Sequence, residues 1–140
     1  MPTIEAATYK ELSHESYVGN VNKIIMDYTL TGAEANGTVV KLRKRNEFHT
    51  YLSMRIIADA GCNAGTDIHV GYLDREEDGT DDTDFFVATA DIVASQDIQA
   101  FVLPKVLAKK HDIVLVINDN NALNAGKKIK IIAESIVTSG

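Results

Sequence analysis

The feature that most restricts the fold open to this chain is a period of two in its apolar residues. It recurs from Lys23 to Thr138 and is broken at Gly, Asn and Asp. Side chains that alternate in this way describe strands with one face buried. From Lys23 to Thr31, Ile24, Met26, Tyr28 and Leu30 alternate with Ile25, Asp27 and Thr29, and the run ends at a Gly32–Gly37 turn. Thr38–Arg45 follows as a half-exposed strand, with Val40 and Leu42 on one face and Lys41, Arg43 and Arg45 on the other. His49–Ala60 is a long strand whose end, Ile56-Ile57-Ala58, reads as buried on both faces. After a Gly61–Gly65 turn, Thr66–Leu73 is the next strand. Phe85–Ala94 is ambiguous and has room for a short helical turn. Ile98–Leu103 ends at Pro104, and Asp112–Asn118 reads as a central strand. Lys127–Thr138 closes the chain with Ile129, Ile131 and Ala133 on one face.

The chain thus holds about seven or eight strands and no amphipathic helix longer than about ten residues. Strands do not alternate with helices, which disfavours a parallel doubly wound sheet. The expected fold is all-β: a single antiparallel β-sandwich of jelly-roll or Greek-key type, with at most short helical turns. Residues 1–22 show no period and are read as an N-terminal arm, in which Glu5–Leu12 has the composition of a short helix; residues 23–140 form the sandwich. A chain of 140 residues with 45% apolar content can bury a core as one domain. The longest apolar run, Ile113–Ile117, is far below the ~20 residues of a membrane helix. The start of the chain lacks the basic and apolar stretches of a signal peptide, so a soluble chain without an export signal is expected. Cys62 is the sole cysteine and lies in a small-residue turn, which excludes an intramolecular disulfide and a Cys-rich zinc site.

The net charge of −6 is local. Asp74, Glu76, Glu77, Asp78, Asp81, Asp82 and Asp84 fall within eleven residues beside one base, Arg75, while acids and bases balance elsewhere. A neutral body argues against direct nucleic-acid binding, which draws on a basic surplus. Set against a calcium loop of EF-hand type, Asp74, Glu76 and Asp78 occupy positions 1, 3 and 5, but Phe85 stands where position 12 needs a bidentate Glu. These three residues remain the only metal candidates. The other readings of the loop are a solvated acidic run and a docking patch.

The basic strand carries Lys41, Arg43, Lys44 and Arg45. Its charged face reads as a guard against unwanted strand pairing, or as a surface for an acidic partner. His14, His49, His69 and His111 lack metal-motif spacing, although His49 and His69 fall on strands that could be neighbours. No nucleophile elbow, P-loop or dinucleotide fingerprint is present, and there is no tryptophan for sugar stacking. An enzyme is not expected, and no cofactor is called for.

Three stretches carry a family resemblance: Tyr28–Leu42, a strand, small-residue turn and strand; Arg55–Tyr72, which contains Gly61-Cys62-Asn63-Ala64-Gly65 and His69-Val70-Gly71-Tyr72; and Asp81–Asp91 with Phe85-Phe86. Their order resembles that of small structural proteins of tailed-phage virions, above all capsid decoration or cement proteins. The resemblance covers roughly residues 23–137. It implies a non-enzymatic β-sandwich on the capsid exterior, made in the host cytoplasm and bound to the major capsid protein. It further implies assembly as a dimer or trimer, of which a homotrimer is expected here; no membrane contact and no direct nucleic-acid contact are expected from the apolar runs and the charge balance. Such proteins have no catalytic residues to carry over. On physical grounds the partner-binding candidates are Tyr9, Leu12 and Tyr17 of the arm with Lys41, Arg43 and Arg45 of the basic strand. The alternatives are a carbohydrate- or calcium-binding sandwich module, motivated by the acidic loop with Tyr51 and Tyr72, or a tail or connector component of the virion.

Overall fold

The structure, a computed structural model, describes residues 3–6, 9, 21–32, 34–45, 49–60, 67–75, 80–92, 97–99, 104–118 and 125–137. The Leu12 and Tyr17 candidates, Glu76, Asp78 and the Cys62 turn lie outside these residues. Among the described residues ten strands are formed: β1 (Thr3–Glu5), β2 (Val21–Thr29), β3 (Thr38–Arg45), β4 (His49–Ala58), β5 (Asp67–Asp74), β6 (Asp82–Asp91), β7 (Asp97–Gln99), β8 (Lys105–Leu107), β9 (His111–Asn118) and β10 (Lys128–Val137).

They make two sheets packed as a β-sandwich. One runs β1-β3-β9-β5-β6; the other runs β2-β10-β4-β7, with β8 also paired to β4. All pairings are antiparallel except that of β1, which lies parallel to β3 with Ile4 opposite Val40. The expected arm therefore begins with a strand, and Glu5 belongs to a sheet edge rather than to a helix. β6 runs unbroken from Asp82 to Asp91, so the helical turn allowed there does not form before Ile92.

The alternation read from sequence places the core. Ile24, Met26 and Tyr28 of β2 and Ile129, Ile131 and Ala133 of β10 meet Val40, Leu42, Ile68, Val70, Leu115 and Ile117 of the facing sheet. Each fully buried Ile or Leu contributes about 1.5–3 kcal/mol relative to exposure. β9 is buried along nearly its whole length because its far side also packs, Val114 and Val116 joining Val39 and Leu73 in a second small cluster.

Bulges then break the period at three places. On β3 the register against β9 shifts between Lys41 and Arg43, leaving Leu42 as the extra residue. An extra residue puts two successive side chains on one face, so Arg43 and Arg45 follow Leu42 inward. On β4 the register against β10 shifts at Leu52, so Tyr51 and Met54 both face the core. Between β5 and β6 the register shifts twice, and Gly71 meets the backbone of Asp82 and Thr83 directly. A Cβ at Gly71 would stand 2.2 Å from the Asp82 carbonyl oxygen, which is why this strand position is glycine. The slack in β6 lets Phe86 reach Tyr51, ring centroids 4.7 Å apart, while Phe85 packs on Tyr72.

Candidate functional site

Polar side chains gather in two places, on opposite faces of the first sheet. The outer cluster is built on Asp112, whose side chain is buried although it points away from the main core. Register sets Lys44 opposite Asp112, and the bulge leaves Lys41 and Lys44 on this outer face. Tyr9, whose N–H bonds the carbonyl of Ala6 just after β1, donates its hydroxyl to Asp112 Oδ2 at 3.0 Å. Lys41 and Lys44 Nζ lie 5.6 and 5.2 Å from the Tyr9 ring centre, a cation–π arrangement. Arg75 Nε sits 3.6 Å from Asp112 Oδ1 and Lys41 Nζ 3.9 Å from Oδ2. Burial raises the Asp112 carboxyl above its usual range, against the opposing pull of Tyr9, Arg75 and the lysines. Burial and Asp112 together push the Tyr9 phenol up to about 12, so it stays a donor. Of the sequence candidates, Tyr9 and Lys41 are thus brought together.

Arg43 and Arg45 are not. The expected exposed basic face does not exist, because the bulge turns both residues into the sandwich. Arg43 is 8% exposed and donates from Nη2 to the Ile25 carbonyl of β2 at 3.4 Å. Arg45 is fully enclosed and anchors the inner cluster. Its Nη2 donates to His49 Nδ1 at 2.9 Å and to Ser135 Oγ at 3.0 Å, and its guanidinium stands 6.0 Å from the Tyr51 ring centre. Tyr51 donates its hydroxyl to His111 Nε2 at 2.6 Å, and His111 Nδ1 donates to the Lys109 carbonyl at 2.7 Å. The carbonyl can only accept, so His111 is the neutral Nδ1–H tautomer and Nε2 is the acceptor. Burial first, then Arg45 and His111, lowers His49 to about 3. Burial likewise lowers His111 to about 4, with Arg45 and Arg75 assisting and the Lys109 carbonyl and Asp74 opposing. Both imidazoles are neutral at physiological pH.

Sequence reading missed this cluster. It allowed that the strands of His49 and His69 could be neighbours, but β4 and β5 belong to different sheets, and His69 bonds to the Ala88 carbonyl and Asn118. The actual neighbour of His49 is His111, ring centroids 6.2 Å apart. Arg45, His49, Tyr51, His111 and Ser135 are all 0% exposed, so the cluster is closed to a substrate. What it supplies is a polar tie across the two sheets.

The acidic loop is tied down where it is described. Asp74 pairs with Lys109 at 2.9 Å, and its N–H is capped by Asp81 Oδ1 at 2.7 Å. Arg75 turns back to the Arg45 carbonyl at 3.2 Å. Among the described residues no three His, Cys, Asp or Glu side chains converge as a metal site, and no helix is long and apolar enough to cross a membrane. The second sheet presents its own outer face. It carries the exposed apolar residues Val21, Ile25 and Val106 and a shallow groove of about 170 Å³ beside Lys23, Arg55, Ile132 and Glu134.

No protein-family model matches the chain, and comparison with curated proteins by sequence returns no match. Solved structures do match its fold. A chain in the capsid of Ralstonia phage GP4 is similar with a TM-score of 0.74 and 16% identity, covering 99% of both chains. A chain in the acidic stable capsid of Helicobacter pylori bacteriophage KHP30 is similar with a TM-score of 0.65 and 15% identity, over 88% of this chain and 92% of that one. A chain in the capsid asymmetric unit of cyanophage Pam1 is similar with a TM-score of 0.59 and 13% identity, over 90% and 91%. The β-sandwich of this chain is therefore a fold shared, nearly end to end, with chains of three phage capsids.

Proposed function

We propose that the chain is a structural component of a phage virion and, more narrowly, a decoration or cement protein that binds the outer surface of the capsid. The observation that carries this reading is the extent of the likeness to the GP4 capsid chain, which leaves neither chain with an unmatched domain. Fold alone does not dictate function, but the enclosed polar cluster is consistent with a non-enzymatic role. In this reading the protein ties neighbouring major capsid subunits together. Many copies on a symmetric lattice let each contact be weak while the shell as a whole gains strength. Tyr9 and Lys41, joined on the outer face of the first sheet, belong to the capsid contact in this reading, and Leu12 and Tyr17, which lie outside the described residues, are its other candidates from the arm. Arg43 and Arg45 drop out of that surface because they are enclosed.

The test mixes purified protein with capsids that lack it. Co-sedimentation at saturating copy number and a higher temperature of shell rupture are expected. Protein that stays in the supernatant, with unchanged shell heat resistance, overturns the proposal. Copy number separates it from a tail or connector role, since only decoration needs a number that scales with the capsid lattice.

A further inference from the structure

We propose that the sandwich closes around a small inorganic anion of the charge and size of chloride, held inside by the guanidinium of Arg45 and the hydroxyl of Ser135. The inference stands on the charge and donor balance of the inner cluster and is independent of the capsid reading.

The charges do not cancel there. Arg43 and Arg45 are 8% and 0% exposed, and among the described residues no Asp or Glu pairs with either. Other half-buried cations are matched: Arg75 and Lys41 stand on Asp112, and Lys109 stands on Asp74. Those two carboxylates, 4% and 1% exposed at the side chain, are thereby engaged away from Arg45. Arg45 lies two residues beyond Arg43 on the inward face of β3, and burial together with this neighbouring charge lowers the Arg43 guanidinium. A buried charge without a counter-charge is among the costliest arrangements a fold can hold. The Tyr51 ring, its centre 6.0 Å from the Arg45 guanidinium, offsets part of that cost.

The hydrogen bonds do not balance either. A guanidinium has five N–H donors. Arg45 Nη2 donates to His49 Nδ1 and Ser135 Oγ, and no acceptor meets Nε or Nη1. Arg43 donates from Nη2 to the Ile25 carbonyl, and its Nε is likewise unmet. Ser135, which accepts from Arg45, still has its hydroxyl proton to give. The groups left over on these three side chains are all donors, and an anion is the species that only accepts. A water in the same place accepts from Arg45 but must also place two protons of its own. The uncancelled positive charge decides between them in favour of the anion.

Enclosure then restricts the ligand. Arg45 and Ser135 are both 0% exposed, so no partner side chain and no organic acid reaches them in the folded state. A monatomic anion is the smallest species that meets the charge. It enters as the two sheets close and leaves when they part, so it binds the folded state alone and stabilises it by mass action.

Urea unfolding at pH 7, where His49 and His111 are neutral, tests the site. Sodium chloride replaces sodium gluconate at constant ionic strength, from about 1 to about 200 mM. Above the dissociation constant, each tenfold rise in chloride is expected to lower the wild-type unfolding constant tenfold, the slope of one bound ion. Arg45→Met puts an apolar chain of similar length in place of the buried charge, a replacement that folds tolerate, and is expected to lack that slope. Ser135→Ala keeps the guanidinium and is expected to need about tenfold more chloride for the same response, the loss of one hydrogen bond to a charged group. That variant reads the site without removing Arg45. Crystals grown in sodium bromide are expected to show an anomalous peak within hydrogen-bond distance of Arg45. An unfolding constant that is the same in chloride and gluconate overturns the proposal, and a bromide peak beside it is then binding at crystal concentration only. An Arg45→Met chain that keeps the wild-type slope, a Ser135→Ala chain with an unmoved response, or bromide crystals without the peak overturn it as well.

Discussion

Acid lowers the stability of this sandwich before its carboxylates begin to titrate, and the cause is the His49–His111 pair. In the unfolded chain each imidazole titrates near 6.5, whereas burial lowers His49 to about 3 and His111 to about 4 in the fold. Between those values and 6.5 the unfolded state binds more protons than the folded state. Stability is therefore complete above pH 6.5 and falls as the pH drops through the window. Each unit costs about 1.4 kcal/mol per histidine. At pH 5 that is about 2 kcal/mol each and about 4 kcal/mol for the pair, a large share of the 5–15 kcal/mol typical of a domain. Protonating His49 also forfeits the bond that its Nδ1 accepts from Arg45 and places a second cation beside that guanidinium. Asp74 faces His111 and works in the opposite direction, as does the Lys109 carbonyl. Asp112, raised by burial, binds a proton more readily in the fold and offsets part of the loss near the acid end. Urea unfolding followed by far-UV circular dichroism at pH 7, 6 and 5 measures the slope. A His49→Gln chain, which keeps a side-chain acceptor but does not titrate, is expected to lose only about half as much as the wild type. Stability that is flat from pH 7 to pH 5 refutes the assignment of neutral, enclosed histidines.

Two further perturbations probe the fold that holds this cluster. Gly71→Ala drives a methyl to 2.2 Å from the Asp82 carbonyl oxygen and 2.3 Å from the Thr83 carbonyl carbon, so β6 must move. A loss of about 1–3 kcal/mol in thermal or urea unfolding is expected, and an unchanged midpoint would show that the strands do not cross so closely. Tyr51→Phe keeps the ring against Phe86 but removes the hydroxyl donated to His111 Nε2. The orphaned acceptor costs about 1–3 kcal/mol at pH 7, read as a shifted urea midpoint at unchanged slope.

The strands that carry the sandwich were legible because a half-buried strand writes its burial into every second residue. Ile24, Met26 and Tyr28 did so in β2, and Ile129, Ile131 and Ala133 in β10, and all six lie in the core. β1 and β8 were not legible, since three residues are too few to show a period and their pairing comes from β3 and β4. The basic face of β3 was misread for a different reason. Alternation has no mark for an inserted residue, and the bulge at Leu42 exchanges inside and outside for everything after it. A strand with Arg43 and Arg45 on a solvent face and one with both enclosed have the same letters. The pairing of Tyr9 with Asp112, 103 positions apart, was likewise invisible.

The amino-acid sequence alone determined that this chain is all-β, where most of its strands run, which residues of β2 and β10 face the core and that its net charge is confined to residues 74–84. These are local properties, set by side-chain period, turn residues and charge spacing. The tertiary structure decided which strands are neighbours, where the register slips, and hence that Arg45, His49, Tyr51, His111 and Ser135 meet inside while Lys41 and Tyr9 meet outside. Those outcomes depend on strands brought together across the two sheets, and a register shift of one residue is enough to reverse them.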